Sequence, residues 1–263
     1  MDLNLKGKRA FISGSTQGIG FAIAQQLLAE AVEVIINGRD QVKLNNSLAV
    51  LRREFPDAIV SGIAADFSDR EQVTGLLDQL DEIDILINNV GIFELKDFTA
   101  LTDEDWYRIF EINVMSSVSL SRKLLPQMLK NNWGRVIFIS SESGINIPGN
   151  MIHYGMTKSA MMAVSNGLSK LTKGTEVTVN TILGGPTYSD GVANTVEYLA
   201  NVQNLSVEQM KMGILQQTNP HSLIGRFINP AEIANLAIYL SSPLSLATNG
   251  ASIRADGGVL KTV

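Results

Sequence analysis

Residues 8–20 read Lys8-Arg9-Ala10-Phe11-Ile12-Ser13-Gly14-Ser15-Thr16-Gln17-Gly18-Ile19-Gly20. Lys8 to Ser13 is a short strand-like run, and the glycines lead into an apolar helical pattern through Ile23, Leu27 and Leu28. A glycine-rich turn between a strand and a helix lets backbone amides approach a pyrophosphate, whose charge then sits at the helix N-terminus. Gly14, Ser15, Thr16, Gly18, Ile19 and Gly20 are therefore candidates for a dinucleotide cradle, with a tight turn that holds no ligand as the plain alternative.

Roughly 20 residues further on, a second strand, Val32 to Ile36, ends in Asn37-Gly38-Arg39-Asp40. In a dinucleotide-binding unit this position reads the adenosine ribose. An acidic side chain there would bond both ribose hydroxyls and repel a 2′-phosphate. Gly38 leaves room, and Arg39 offers a fork-shaped cation suited to phosphate, which favours NADP(H) over NAD(H). The alternative is that Arg39 is a solvated surface charge and Asp40 caps the next helix.

The same alternation continues along the chain. Further strands are expected at Ala58 to Ala64, Ile83 to Ile87, Val136 to Ser140, Val177 to Leu183 and Ala251 to Arg254. Helices are expected from Gln41 to about Phe55, after Asp69 to Leu80, and from Asp103 in one long run carrying Trp106, Phe110, Asn113, Val114 and Leu124. A last helix starts at Pro230. This order predicts an α/β fold, a doubly wound parallel sheet of about seven strands with helices on both faces, as a single domain over 1–263. Ligands bind such sheets outside the carboxyl ends of the strands, where nearly every motif of this chain falls. Between about 187 and 228 the pattern loosens into two short amphipathic helices rich in methionine, read as a substrate lid or as a packing segment.

A second stretch carries the chemistry: Ser140-Ser141-Glu142-Ser143-Gly144, then His153-Tyr154-Gly155-Met156-Thr157-Lys158. Tyr154 and Lys158 are four apart on a helix and share a face. An ammonium beside a phenol favours the phenolate, so a tyrosine of ordinary pKa about 10 is expected to be tuned toward neutrality. Ser141 lies at the mouth of the preceding strand. The trio is read as handling a proton on an alcohol or carbonyl oxygen.

Composition narrows the field. With 45% hydrophobic and 18% charged residues the chain reads as globular, and a net charge of −5 argues against nucleic acid as partner. There are no cysteines, which excludes disulfides, thiolate metal sites and cysteine nucleophiles. His153 and His221 are too few and too far apart to suggest a metal site, and packing or surface roles are expected. The polar start, Met1 to Lys8, does not look like a signal peptide, and no apolar run approaches bilayer-spanning length. A cytoplasmic location is the default expectation.

Taken together, Gly14 to Gly20, Asn88 to Gly91, Asn113, Ser141, Tyr154 and Lys158 make the chain resemble the short-chain dehydrogenase/reductase family over essentially its whole length. It looks most like the compact branch that includes 3-oxoacyl-carrier-protein reductases, on a Rossmann fold. The resemblance implies that Gly14, Gly18 and Gly20, with Ile19, form the cofactor turn. It implies that Asp66 and Phe67 meet the adenine, and that Asn89, Val90 and Gly91 run beside the adenosine and nicotinamide. Tyr154 matches the proton donor/acceptor, Ser141 the hydroxyl that holds the substrate oxygen, and Lys158 the residue that tunes the tyrosine and binds the nicotinamide ribose. Asn113 matches a residue holding a water that links the lysine to solvent. Gly185, Thr187 and Ser189 match the loop over the nicotinamide end. Homodimers or homotetramers through the helices near Asp103 and Ile152 are implied as well. Three departures stand out: Ser13 for threonine, Val90 for alanine, and Gly184-Gly185 for Pro-Gly, which should loosen that loop. The competing class is a non-catalytic dinucleotide sensor or scaffold on the same fold, which tends to lose the tyrosine or lysine; both are present. The substrate is expected to be a small carbonyl or alcohol compound, largely apolar, in a pocket near Phe93, Ile145, Ile147, Pro148, Met151 and Tyr188.

Overall fold

The computed structural model describes residues 2–261; Met1 and residues 262 and 263, the outermost positions of the expected domain, lie outside the described residues. Among these, seven strands form one parallel sheet: β1 (Arg9–Ile12), β2 (Glu33–Gly38), β3 (Val60–Ala64), β4 (Ile85–Asn88), β5 (Trp133–Ser141), β6 (Glu176–Gly184) and β7 (Ser252–Ala255). Their order is β3-β2-β1-β4-β5-β6-β7. The chain winds outward from β1 to β3, returns beside β1 as β4, and winds the other way. The reversal opens a crevice at the carboxyl ends of β1 and β4, which is where such sheets take ligands.

Helices are α1 (Gly18–Ala29), α2 (Gln41–Glu54), α3 (Arg70–Asp78), α4 (Asp103–Phe110), α5 (Ser116–Lys130), α6 (Ile152–Ser169), α7 (Asp190–Gln203), α8 (Val207–Thr218) and α9 (Pro230–Ser241). The central strands read as continuous β-branched and apolar runs because both sheet faces are covered. Along β1, Ile12 faces a core built with α1 and α9, through Ile23, Leu27 and Ile233. Its neighbour Phe11 faces the opposite core, built with α5 and α6 through Leu124 and Met161. This is the period of two in a strand expressed as two hydrophobic layers. Asp40 and Asp69 cap α2 and α3 by accepting from main-chain amides, and Asn229 with Glu232 forms a capping box around Pro230.

One expected element differs. The single long helix from Asp103 is broken at Glu111–Met115 by a π-turn. Asn113 sits in that turn, fully buried, where its side chain bonds the Ile92 main chain in both directions. Those tertiary bonds hold the helix in the wider geometry, a form frequently found at functional sites.

The segment 187–228 leaves and rejoins the fold at one place. Thr187 and Ile228 form an isolated parallel bridge, and Ile228 N donates to Pro186 O at 2.8 Å. Between those points α7 and α8 pack on each other through a small core of Val196, Ala200 and Met210. Among the described residues, no helix is long and apolar enough to cross a membrane.

Candidate active site

The glycine turn is shaped by close approaches. Gly14 and Gly18 both have φ +61°, and a Cβ at Gly14 would lie 2.9 Å from Val90 Cα. A Cβ at Gly20 would lie 2.5 Å from Asn89 Nδ2, which donates to Ser13 O and Gly14 O at 3.0 and 2.8 Å. The Ser13 hydroxyl accepts from the amides of Asn89 and Val90, so the smaller hydroxyl residue still ties β1 to β4. Ser15 is buried, and its hydroxyl donates to Ile12 O while accepting from Asn37 N; its side chain thus serves the turn itself. Ile19 packs against the α1–α9 core.

Helix α1 has no side-chain N-cap and no acidic residue in its first turn, which leaves its amides to an outside anion. One of them already meets a carboxylate, since Gly18 N donates to Asp190 Oδ2 at 2.7 Å. An acidic oxygen from α7 stands where a phosphate oxygen would be received, so these residues fit a dinucleotide pyrophosphate.

At the end of β2, Gly38 is required for a reason the sequence does not show. A Cβ there would come within 2.5 Å of the Thr16 methyl group, so the missing side chain also seats the turn. Asp40 is committed to its cap, and the amide of Lys43 first of all holds its carboxyl below the usual range. Arg39 is exposed, has no ion pair among the described residues, and borders a cavity of about 260 Å³ with Ile92, Phe93, Glu94, Arg108 and His153. After β3, the Asp66 carboxylate accepts from Ser68, whereas the Phe67 ring is buried in the core. Only the main chain of Phe67 is therefore left to face an adenine.

The residues that the sequence suggests for proton handling come together at the ends of β4 and β5 and the start of α6. Lys158 is buried, and its Nζ donates to Ile139 O at 3.0 Å and lies 5.6 Å from the Tyr154 ring centroid. Ser140 Oγ donates to Lys158 O, which locks β5 against α6. Asn113 Nδ2 donates to Ile92 O and Thr157 Oγ1, and its Oδ1 accepts from Ile92 N. A Cβ at Gly91 would lie 3.4 Å from Lys158 Nζ and 3.6 Å from Asn113 Oδ1, so both atoms border the same small gap. Phe93 meets Tyr154 edge-on at 6.4 Å. His153 is buried edge-on against Trp106, while His221 is exposed.

The direction of the tyrosine's pKa is opposite to the expectation from spacing. Burial, and then the charge of Glu142, push Tyr154 well above the ordinary phenol value, with the Ser141 hydroxyl opposing. Lys158 is itself brought down to about 8 by burial, although Glu142 acts to keep it charged. Loss of water is the largest effect on each group. A raised pKa favours the phenol, which is the proton-donating form.

A family model for short chain dehydrogenases matches residues 8–199. The chain belongs to the short-chain dehydrogenase family. Such enzymes are NAD(P)-dependent and act between CH–OH and C=O groups. Among relatives of this family, the uncharacterized oxidoreductase YvaG of Bacillus subtilis (strain 168) is 43% identical over 263 residues, all of both chains. A 3-oxoacyl-[acyl-carrier-protein] reductase of Aquifex aeolicus (strain VF5) is 27% identical over 98% of this chain and 100% of its own. The crystal structure of L-sorbose reductase from Gluconobacter frateurii, complexed with NADPH and L-sorbose, has a TM-score of 0.93 at 28% identity, covering both chains fully.

In this short-chain dehydrogenase the loop after β6 is held rather than loose. Gly185 N donates to Ala255 O, and a Cβ at Gly185 would lie 2.6 Å from Asp256 O. Thr187 Oγ1 donates to Gly185 O, and Ser189 lies against Gly18. Tyr188 packs edge-on against Phe227 at 5.8 Å, which joins the two ends of the 187–228 segment. Ile145 and Ile147 stand nearly half exposed beyond Tyr154. Sequence reasoning missed Glu142, beside Ser141, and Asp190, at the glycine turn. Only Glu142 carried a signal, as a charge placed directly after a buried strand and between two serines.

Proposed function

We propose that the chain interconverts a carbonyl and a secondary alcohol with NADP(H), and that Tyr154 is its proton donor/acceptor. The observation that carries this reading is the placing of Tyr154 on α6 with the Lys158 ammonium 5.6 Å from its ring, beside an anion-ready helix terminus. The cofactor is held by the turn Gly14 to Gly20 and the main chain of Asn89 to Gly91, with Arg39 toward the 2′-phosphate and Lys158 toward the nicotinamide ribose. When bound, it supplies the hydride. Ser141 and Tyr154 hydrogen-bond the carbonyl oxygen, and Tyr154 gives it the proton as the carbon becomes that of an alcohol. Lys158 stabilises the phenolate that remains, and Asn113 fixes Ile92 and Thr157 around it. Oxidation of an alcohol runs the same steps backward.

NADP(H) is favoured over NAD(H) because Asp40 is spent on a cap and Arg39 is free to meet a phosphate; the sorbose reductase was solved with NADPH. The 187–228 hairpin, pinned at Thr187 and Ile228, is read as the substrate lid. Outward-facing Tyr107 and Phe110 on α4 support a homodimer or homotetramer, and NADPH use fits a cytoplasmic enzyme. The test is a titration with NADPH and NADH followed by fluorescence, then a carbonyl panel of L-sorbose, a 3-oxoacyl thioester and simple aliphatic ketones. Tighter NADPH binding that is lost in Arg39→Ala, with NADPH-dependent reduction in the panel, supports the reading. Binding without any turnover favours the sensor, and equal affinities make Arg39 a surface charge.

A further inference from the structure

Glu142 stands on the short turn Glu142–Gly144 that ends β5, and only 9% of its surface is exposed. One carboxyl oxygen, Oε2, is hydrogen-bonded to Ser141 Oγ, and the other, Oε1, accepts from Ser143 Oγ at 3.1 Å. Ser143 N donates to Ser141 Oγ at 3.1 Å. The charged and titratable groups around Glu142 are Tyr154 and Lys158 from α6 and Asp256 from the turn after β7.

A serine hydroxyl has one hydrogen and two lone pairs. Ser143 N fills one lone pair of Ser141. An ionised Glu142 can only accept, so it takes the single Ser141 hydrogen and leaves none for a substrate. A neutral Glu142 donates into the second lone pair, and the Ser141 hydrogen is then free to turn toward the oxygen that Tyr154 also serves.

We propose that Glu142 is a positioning residue that sets, by its own protonation, whether Ser141 can donate to the substrate oxygen. The inference rests on the carbonyl-reducing reading above and adds a residue to it. Burial, and more weakly the charge of Asp256, hold the Glu142 carboxyl above its ordinary range, against the pull of the two serines. Glu142 passes no proton to the substrate; the proton consumed in reduction comes from Tyr154.

The test is infrared difference spectroscopy of the whole protein, wild type minus Glu142→Gln, titrated in the region of the neutral carboxyl stretch. Asp256 is present in both proteins and cancels. A neutral-carboxyl band that persists above the range in which an ordinary glutamate, of pKa about 4.3, ionises is the expected result. Its absence there overturns the proposal. With the carbonyl reduced fastest in the panel, the wild-type rate should fall as pH rises through the band's midpoint. Glu142→Gln, whose amide donates to Ser141 at every pH, should lose that limb; a profile like the wild type's refutes the role. Failure of the carbonyl-reducing reading would be seen separately, as no turnover in the panel whatever the infrared result.

Discussion

Replacing Lys158 by methionine should make the protein more stable and inactive at once. Lys158 is 5% exposed, and no carboxylate lies within ion-pair distance of it among the described residues. Its pKa falls from the ordinary 10.5 to about 8, chiefly through burial. At about 1.4 kcal/mol per pKa step, the charged form costs roughly 3 kcal/mol more in the fold than in water. Lys158→Met removes that cost with an unbranched apolar chain but leaves Ile139 O without its donor, a loss of about 1 kcal/mol. The net expectation at pH 7 is about 2 kcal/mol of added stability, or roughly 5 °C in Tm for a chain of this size. The pH dependence follows from linkage. Between about 8 and 10.5 the unfolded chain holds the lysine proton and the folded chain does not, so wild-type stability rises with pH across that window. The advantage of the variant should therefore shrink toward zero by pH 10. Urea unfolding of both proteins at pH 7 and pH 10 measures it. A variant less stable at pH 7, or a difference that does not change with pH, would refute the reasoning.

Gly20→Ala should cost about 2–4 kcal/mol and weaken NADPH binding, because its Cβ displaces the Asn89 amide from Ser13 O and Gly14 O. Gly75→Ala, in α3 with nothing within 4 Å of its Cβ position, should instead gain about 0.5–1 kcal/mol in the same unfolding assay. Asp190→Asn removes the charge that competes for the Gly18 amide and should tighten NADPH binding roughly two- to tenfold by fluorescence titration. Weaker binding in that variant would mean that Asp190 helps the cofactor rather than standing in its place.

The fold is legible in the sequence because its strands are buried on both faces and so appear as unbroken apolar runs. The Tyr154–Lys158 pair is legible because helical spacing puts the two on one face. What is not legible depends on partners far along the chain. The π-turn at Asn113 exists through bonds to Ile92, and Asp190 reaches Gly18 from 172 positions away. That Thr16 packs where a side chain of Gly38 would stand is likewise a contact the sequence does not show. The tyrosine is the sharpest case: spacing reports that the ammonium is near, but neither the loss of water nor the Glu142 carboxylate that raises its pKa.

The central claim is that Tyr154 supplies the proton for carbonyl reduction. Tyr154→Phe keeps the ring that meets Phe93 and removes only the hydroxyl. The direct measurement is the NADPH-dependent reduction rate of this variant beside its NADPH affinity. Turnover lost by at least a hundredfold with NADPH affinity unchanged is the predicted result. Turnover preserved in Tyr154→Phe would contradict the account.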